Sequence, residues 1–379
     1  MPATPAPPAA RTERLLLAPF EMKGTLSAAE VASIMEGVLS TRATCSTRRL
    51  PLGDGGPGTL DALRMAMPAI ELRTVSVEDA LGRTVPARFG LLRGSSRSPT
   101  HAYLEAAEAH GLWRLPPTGR SALRTTSRGV GQLIAAALEA GATRICVGLG
   151  GSASNDGGAG ALEALGARML DARGHPLPSG GAALNGLARV DLTGLDPRLA
   201  QTRLTLACDV SAPLLGPTGA SHLFAPQKGA SASEVERLEC GLSRFASQLE
   251  ALVGDRLRDR PGAGAAGGLG FGLMAGLNAH PRPGLEVVAE LVGLDAALRW
   301  ADRVLTAEGR LDAQSLLGKG PVRLAERAAG MGVPTVAFVG VAEVSAGAFE
   351  AIVPATAEDA TDPASARRAL QQALAAWRA

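Results

Sequence analysis

Short apolar runs alternate along the chain with segments whose apolar residues recur at helical spacing. The run RLLLAP at 14–19 predicts a first strand, and SAAEVASIMEGVL at 27–39 predicts a helix that begins with a Ser27/Glu30 capping box. The same strand, loop and helix order recurs from RRLPL (48–52) and from TRICVGLG (143–150). Further along, RLTLACD (203–209) leads into a long Pro/Gly loop and DRVLTAE (302–308) into the segment GRLDAQS. This alternation is typical of an α/β fold with a mostly parallel sheet.

One segment departs from that order and suggests how the chain is divided. The residues at 71–92 alternate like a β-hairpin, which breaks the rhythm near residue 75, and the rhythm returns near residue 290. We therefore predict two α/β domains, one Rossmann-like with a mostly parallel sheet and the other inserted into it. Residues 1–12 are predicted to be a disordered tail, 13–75 plus 290–379 the Rossmann-like domain, and 76–289 the inserted domain.

Composition narrows the class of protein. A chain of 379 residues with 46% hydrophobic and 20% charged residues can bury two ordinary globular cores. A net charge of +2 and 3% aromatic residues argue against nucleic-acid binding. The four cysteines form no CxxC pair, and no apolar run reaches the length of a membrane span. We expect a soluble cytoplasmic protein whose partner is a small molecule.

The chain contains only three lysines, Lys23, Lys228 and Lys319, and each is followed by glycine. Lysine presents a compact point charge, whereas arginine presents a planar fork of five donors. Glycine, which lacks Cβ, allows the backbone to approach a ligand closely. Together the three pairs predict anion-facing loops, although each pair taken alone is also typical of an ordinary surface turn.

The loop GLGGSASNDGGAG at 148–160 follows a predicted strand and precedes a predicted helix. Its backbone N–H groups and the N-terminus of the helix that follows are suited to binding phosphate. The spacing Gly148-x-Gly150-x-x-Ala153 also gives a loose dinucleotide fingerprint. A nicotinamide-dependent oxidoreductase and a purely structural glycine-rich turn therefore both remain open.

Acidic residues follow several predicted strands, where open α/β sheets bind their ligands. They are Asp54, Asp209, Glu308 and Asp312. Clustered carboxylates near phosphate loops suit Mg²⁺ or accept a proton from a substrate hydroxyl. The five histidines form no HExxH motif and no recognisable triad, so a metalloprotease or serine hydrolase is not indicated.

The ordered set of loops resembles the bacterial glycerate kinase family. The resemblance covers nearly the whole chain and rests on the following segments: APFEMKG (18–24), PLGDGGPGT (51–59), TTSRGVGQLI (125–134), GLGGSASNDGGAG (148–160), CDVSAPLLGPTGASHLFAPQKGA (208–230), GAGAAGGLGFGL (262–273) and ADRVLTAEGRLDAQSLLGKGP (301–321).

The resemblance implies an active site in a cleft between two α/β domains. It further implies phosphoryl transfer from ATP with Mg²⁺ to D-glycerate, giving 2-phosphoglycerate. Lys23, Lys228 and Lys319 would then neutralise phosphate or carboxylate oxygens. Asp54, Asp156, Asp209 and Asp312 would supply metal ligands or the base for the hydroxyl. Of these, Asp54, Asp209 and Asp312 are assigned with Lys23 as catalytic residues, and Asp209 and Asp312 as metal ligands. Substrate or phosphate binding is assigned to Gly150, Gly151, Ser152, Asn155, Asp156 and Glu308.

The chain departs from the family pattern at several loop positions. Phe20 stands where the family has Asp, Pro57 where it has Glu, and Ala212 where it has Asn. Arg128 and Gln132 replace Tyr and Glu. These changes leave open a kinase of another small hydroxy acid or an inactive paralogue.

Overall fold

The computed structural model describes residues 12–22, 24–42, 45–95, 98–312, 320–343, 347–359 and 361–377. Its strands are β1 (Glu13–Leu17), β2 (Cys45–Arg49), β3 (Glu71–Glu78), β4 (Thr84–Leu92), β5 (His101–Glu105), β6 (Arg144–Gly148), β7 (Arg168–Leu170), β8 (Arg189–Asp191), β9 (Arg203–Ala207), β10 (His280–Arg282), β11 (Arg303–Leu311), β12 (Thr335–Ala342) and β13 (Ala351–Pro354). Its α-helices are α1 (Ala28–Leu39), α2 (Thr59–Ala66), α3 (Ala106–His110), α4 (Arg128–Glu139), α5 (Ala159–Ala164), α6 (Ala220–Phe224), α7 (Ala232–Val253), α8 (Leu269–Leu277), α9 (Gly284–Val292), α10 (Leu294–Trp300), α11 (Gly320–Ala329) and α12 (Pro363–Ala376).

The described residues form two compact units. The first takes in those within Met1–Gly53, Asp61–Met67 and Val288–Ala379, and the second takes in Asp54–Leu60 and those within Pro68–Val287. The main division along the sequence therefore falls at residues 67 and 288, whereas the sequence rhythm placed it near 75 and 290. All of β3 belongs to the second unit, because it pairs with β4 along its whole length.

The first unit contains a parallel sheet in the order β13-β12-β11-β1-β2. Read from the other edge, this is the 2-1-3-4-5 order of a doubly wound sheet, with its switch point between β1 and β11. Alternate residues of β12 point to opposite faces: Val336 and Phe338 join one apolar cluster, while Ala337 and Val339 join another. Burial on both faces explains why β12 is an apolar run.

The second unit contains a mixed sheet in the order β10-β9-β6-β5-β4-β3. The strands β10, β9, β6 and β5 run parallel, and β4 and β3 add the predicted antiparallel hairpin. Residues from this sheet and from α4, α5, α7 and α8 build one large core cluster. The predicted α/β class is confirmed. Among the described helices, none is both long and apolar enough to cross a membrane.

Local sequence signals account for the beginnings of several helices. The Ser27/Glu30 capping box is confirmed: the Glu30 N–H donates to Ser27 Oγ at 3.3 Å, and the Ser27 N–H donates to Glu30 Oε2 at 2.9 Å. At the glycine-rich start of α8, a Cβ on Gly268 would lie 2.9 Å from Gly157 Cα, and one on Gly272 would collide with Gly157 O. These glycines allow α8 to pack directly on another backbone segment.

Two of the departures from the family pattern lie together where α4 packs on β3. The Gln132 amide nitrogen donates to Glu78 Oε1 at 3.2 Å, and its oxygen accepts from the Glu78 N–H at 2.6 Å. Arg128 Nε donates to the same Glu78 Oε1 at 3.1 Å. Arg128 and Gln132 therefore satisfy one half-buried carboxylate jointly.

Replacement Gln132→Glu is expected to destabilise the fold by about 1 kcal/mol, because it removes an amide donor and sets a second carboxylate against Glu78. Urea unfolding at neutral pH measures the loss. The additional substitution Glu78→Gln should restore most of it, since an amide then faces the new carboxylate. Equal losses with and without Glu78→Gln would contradict this account.

Candidate functional site

Two glycine-rich loops meet at the carboxyl ends of β6 and β9 in the second unit. The Gly150 N–H donates to Gly55 O at 3.4 Å, and the Leu149 N–H donates to Ala207 O at 3.2 Å. A Cβ on Gly148 would collide with Gly55 O, and one on Gly150 would lie 2.6 Å from Gly56 Cα. The glycines are required because the two main chains are in direct contact.

Two of the predicted acidic residues lie on either side of Gly284. The Gly284 N–H donates to Asp209 Oδ1 at 2.9 Å, and a Cβ on Gly284 would collide with Asp54 O. Asp54 Oδ1 accepts from the Gly56 N–H at 3.0 Å. Both side chains are exposed, as is Gly151. The structure thus brings Asp54 and Asp209 to one exposed edge beside the 148–160 loop.

Glu105, to which the sequence analysis gave no role, holds this edge together. It lies at the end of β5, is buried, and accepts hydrogen bonds from the Gly58 N–H at 3.3 Å and from the Leu60 N–H. Its carboxylate therefore satisfies donors at the beginning of α2 and fixes the loop that carries Asp54. Its position at the last residue of a strand was the available signal in the sequence.

Asp156 is occupied inside the fold. Its side chain is 1% exposed, and Oδ2 accepts from the Ser127 N–H at 2.7 Å, from Ser127 Oγ at 2.9 Å, and from Thr126 Oγ1 and the Gly160 N–H at 3.2 Å. Oδ1 accepts from the Gly158 N–H at 3.2 Å. This carboxylate joins the beginnings of α4 and α5, and the arrangement gives no support to the predicted ligand-binding role.

The middle of the 148–160 loop covers a buried polar cluster. Lys228 Nζ donates to Ser152 Oγ at 3.0 Å and to Ser154 O at 2.6 Å, while Ser154 Oγ lies 3.1 Å from His110 Nδ1. Asn155 Nδ2 donates to Ser221 Oγ at 3.3 Å. Ser152, Asn155 and Lys228 are all buried, so among the residues at 150–156 that were predicted to bind phosphate only Gly150 and Gly151 reach the surface.

The three lysine-glycine pairs have separate local causes. Gly24 and Gly229 adopt left-handed φ values of +80° and +91°, and a Cβ on Gly229 would lie 2.8 Å from Arg120 O. Gly320 begins α11, and a Cβ there would collide with the Phe20 ring. Turn geometry and packing explain these glycines, so the pairing itself does not indicate ligand contact. Lys23 and Lys319 lie outside the described residues.

The remaining predicted acids belong to the first unit. Glu308 lies within β11, where its Oε1 accepts from the Gly309 N–H at 3.2 Å, and Asp312 directly follows β11. Both are partly exposed and lie next to the switch point between β1 and β11. Phe20, which follows β1, donates its N–H to Ala307 O at 3.0 Å and buries its ring.

The predicted metal pair, Asp209 and Asp312, is divided between the two units. Within the described ranges, no three His, Cys, Asp or Glu side chains form a group that could hold a metal ion. Mg²⁺ commonly uses only one or two carboxylates and completes its shell with water and phosphate oxygens. Within the second unit, Asp54 and Asp209 fit that requirement by their oxygen chemistry and exposure.

The dinucleotide fingerprint lacks the structure it requires. A Rossmann fingerprint runs from a strand directly into a helix, so that the pyrophosphate lies on the helix N-terminus. Here α5 begins at Ala159, six residues beyond Ala153, and the intervening loop is used by Asp156 and the buried cluster. The geometry therefore disfavours the nicotinamide alternative.

Burial of His110 predicts a loss of stability in acid. Desolvation, helped by the charge of Lys228, lowers the pKa of His110 to about 3 from its usual 6.5. The unfolded chain therefore binds this proton below pH 6.5 while the folded chain does not, and stability falls as the pH drops from 6.5 toward 3. Between pH 7 and pH 5 the loss attributable to this group is on the order of 2 kcal/mol.

Urea unfolding at pH 7 and pH 5 checks this expectation. His110→Asn should flatten the decline, because asparagine takes up no proton. The control His175→Asn alters a histidine whose side chain is 72% exposed and should leave the decline unchanged. The same decline in His110→Asn as in the parent chain would contradict the assignment.

The chain is similar over most of its length to known proteins. The model of the glycerate kinase family matches residues 15–378. A protein of Bacillus subtilis (strain 168) named glycerate kinase is 44% identical over 328 residues, covering 86% of this chain and 85% of that protein. A protein of Escherichia coli (strain K12) named glycerate 2-kinase is 42% identical over 328 residues, with the same coverage of both.

A solved structure extends the similarity to the fold. The crystal structure of a Salmonella typhimurium LT2 protein, provisionally called glycerate kinase 2, superposes with a TM-score of 0.85 at 39% identity and covers 96% of each chain. The family model, the relatives and this structure all span most of the chain. The chain belongs to the glycerate kinase family.

Proposed function

We propose that this chain transfers a phosphoryl group from ATP to a hydroxyl of D-glycerate, with 2-phosphoglycerate as the product and Mg²⁺ as the cofactor. The observation that carries the proposal is the exposed edge formed by Asp54, Asp209 and the Gly150–Gly151 backbone in a chain of this family. Open α/β sheets bind ligands at this end of their strands.

The exposed carboxylates of Asp54 and Asp209 are suited to two tasks, accepting a proton and binding Mg²⁺. One oxygen of each is held by a backbone N–H, which fixes the orientation of the side chain. During transfer the glycerate hydroxyl oxygen forms a bond to the γ-phosphorus, the bond from that phosphorus to the β,γ-bridging oxygen breaks, and a carboxylate accepts the hydroxyl proton. Asp54 and Asp209 are the proposed residues for accepting this proton and for holding Mg²⁺.

Bound Mg²⁺ would supply positive charge to the phosphate oxygens. Backbone N–H groups near Gly150 and Gly151 would hold the phosphate, as exposed glycine-rich loops commonly do. We further assign Lys23 and Lys319 to neutralising phosphate or carboxylate oxygens, and Glu308 to substrate binding. Asp312 is also proposed as a metal ligand or catalytic carboxylate.

The departures from the family pattern concern the choice of the hydroxy acid that receives the phosphoryl group. A Cβ on Gly151 would lie 2.7 Å from Pro57 Cγ, and Phe20 buries an aromatic ring against Gly320. Ala212 is buried, and its carbonyl accepts from the Gly264 N–H at 2.9 Å. Each position packs a nonpolar side chain where the family resemblance implies a polar one, so related hydroxy acids belong in the substrate test.

Removal of either exposed carboxylate is expected to lower kcat/KM strongly. Asp54→Asn and Asp209→Asn should each reduce glycerate-dependent ADP release by about 10²- to 10⁴-fold, the range associated with a proton acceptor. A coupled assay over D-glycerate and related hydroxy acids measures the effect. Asp255→Asn, which alters an aspartate paired with Arg260 elsewhere in the same unit, is the control and should leave activity unchanged. Full activity in both site variants would refute the assignment.

Nucleotide binding distinguishes the kinase from the oxidoreductase alternative. Mg²⁺ with ADP at a hundredfold excess over its Kd should stabilise the fold by about 2.7 kcal/mol, because only the folded chain binds it. NAD should have no effect. Thermal unfolding with each ligand provides the comparison, and stabilisation by NAD but not by ADP would favour the oxidoreductase.

A further inference from the structure

Lys228 has a buried amine that donates hydrogen bonds to the buried side of the 148–160 loop. Its side chain is 2% exposed, and its Nζ donates to one side-chain oxygen, Ser152 Oγ at 3.0 Å, and one main-chain oxygen, Ser154 O at 2.6 Å. The two acceptors are two residues apart. A single amine therefore fixes both the position of Ser152 and the direction of the Ser154 carbonyl.

A second segment holds the same part of the loop from another side. The Leu112 N–H donates to Gly151 O at 2.8 Å, and the Ala153 N–H donates to His110 O at 2.8 Å. His110 is fully buried, and its Nδ1 lies 3.1 Å from Ser154 Oγ. Gly151 is exposed at the edge with Asp54 and Asp209. Its position therefore depends on neighbouring loop residues that are hydrogen-bonded to buried groups.

The buried surroundings of Lys228 favour a role as a hydrogen-bond donor over a role as a positive charge that faces a ligand. Burial lowers the pKa of Lys228 to about 7, and the nearby charge of Asp156 offsets part of that effect. A neutral amine has two N–H donors and an ammonium has three, so both forms can satisfy Ser152 and Ser154. The planar five-donor fork of arginine does not match one hydroxyl and one carbonyl in a closed space.

We propose that Lys228 is a positioning residue that sets the main-chain conformation of residues 150–154 and does not contact the transferred phosphate. The kinetic part of the proposal rests on the proposed function, because it requires the 150–151 backbone to hold phosphate during transfer. A displacement of about 1 Å in such a binding group is enough to cost a large factor in rate.

A double-mutant cycle tests the link between Lys228 and the loop. Lys228→Met keeps the stem but removes the amine, and should lower kcat by about 10- to 100-fold, because a buried carbonyl loses its donor and the loop shifts. Ser152→Ala alone should have a smaller effect, and it should add nothing in the Lys228→Met background. KM for ATP should change less than kcat.

Three kinetic outcomes would overturn the proposal. Losses that multiply in the double variant would show that Lys228 and Ser152 act independently. A rise in KM for ATP with unchanged kcat would indicate direct contact with the nucleotide. Unchanged kcat and KM in a folded Lys228→Met chain would show that the amine is only structural.

Chemical labelling of the parent chain tests the proposal even if Lys228→Met does not fold. Because the chain has three lysines, acetylation by an N-hydroxysuccinimide ester can be followed at each by peptide mass spectrometry. Lys228 should react at least ~10-fold more slowly in the native chain than in urea. Labelling of the native chain as fast as in urea would overturn the proposal.

The two experiments also separate this proposal from the proposed function. If the parent chain releases no ADP with any acid tested, the proposed function fails. The labelling result still decides whether the Lys228 amine is enclosed by the loop or open to an anion.

Discussion

A charge that is buried in a protein must be given hydrogen-bond partners, and that requirement organises the second unit of this chain. Asp156 lies within the 148–160 loop and Lys228 contacts the same loop, and both ionisable side chains are buried and hydrogen-bonded. The carboxylate fixes the end of the loop where α5 begins, and the amine fixes its centre. The backbone between them has little freedom, which is the condition for presenting N–H groups to a ligand at no cost in reorganisation.

The second condition is close contact between main chains. The loop around Gly55 and Gly56 lies directly on Gly148 and Gly150, and α8 packs on Gly157 and Gly158 in the same way. Side chains at these positions would force the two backbone segments apart. The absence of a Cβ at these glycines therefore allows the backbone contacts that form the exposed edge. The acidic side chains at this edge, Asp54 and Asp209, each accept a hydrogen bond from a backbone N–H.

The sequence predicted features that depend on local spacing or on strand ends. The Ser27/Glu30 cap and the hairpin at 71–92 both follow from such rules. The direction in which a polar side chain points depends on tertiary packing, which spacing does not encode. Asp156 and Lys228 have the sequence context of ligand-binding residues, yet both turn inward. The glycines beside the lysines reflect turn dihedrals at Gly24 and Gly229, and sequence alone could not separate that cause from close approach to a ligand.

The edge strand β10 has a consequence for the behaviour of the chain in concentrated solution. It is only three residues long, and its central residue is Pro281, which has no N–H to offer. An incoming strand would find too few donors to extend the sheet past β10. The β10 edge of the larger sheet, whose other edge is β3, is thus a poor template for intermolecular β-aggregation.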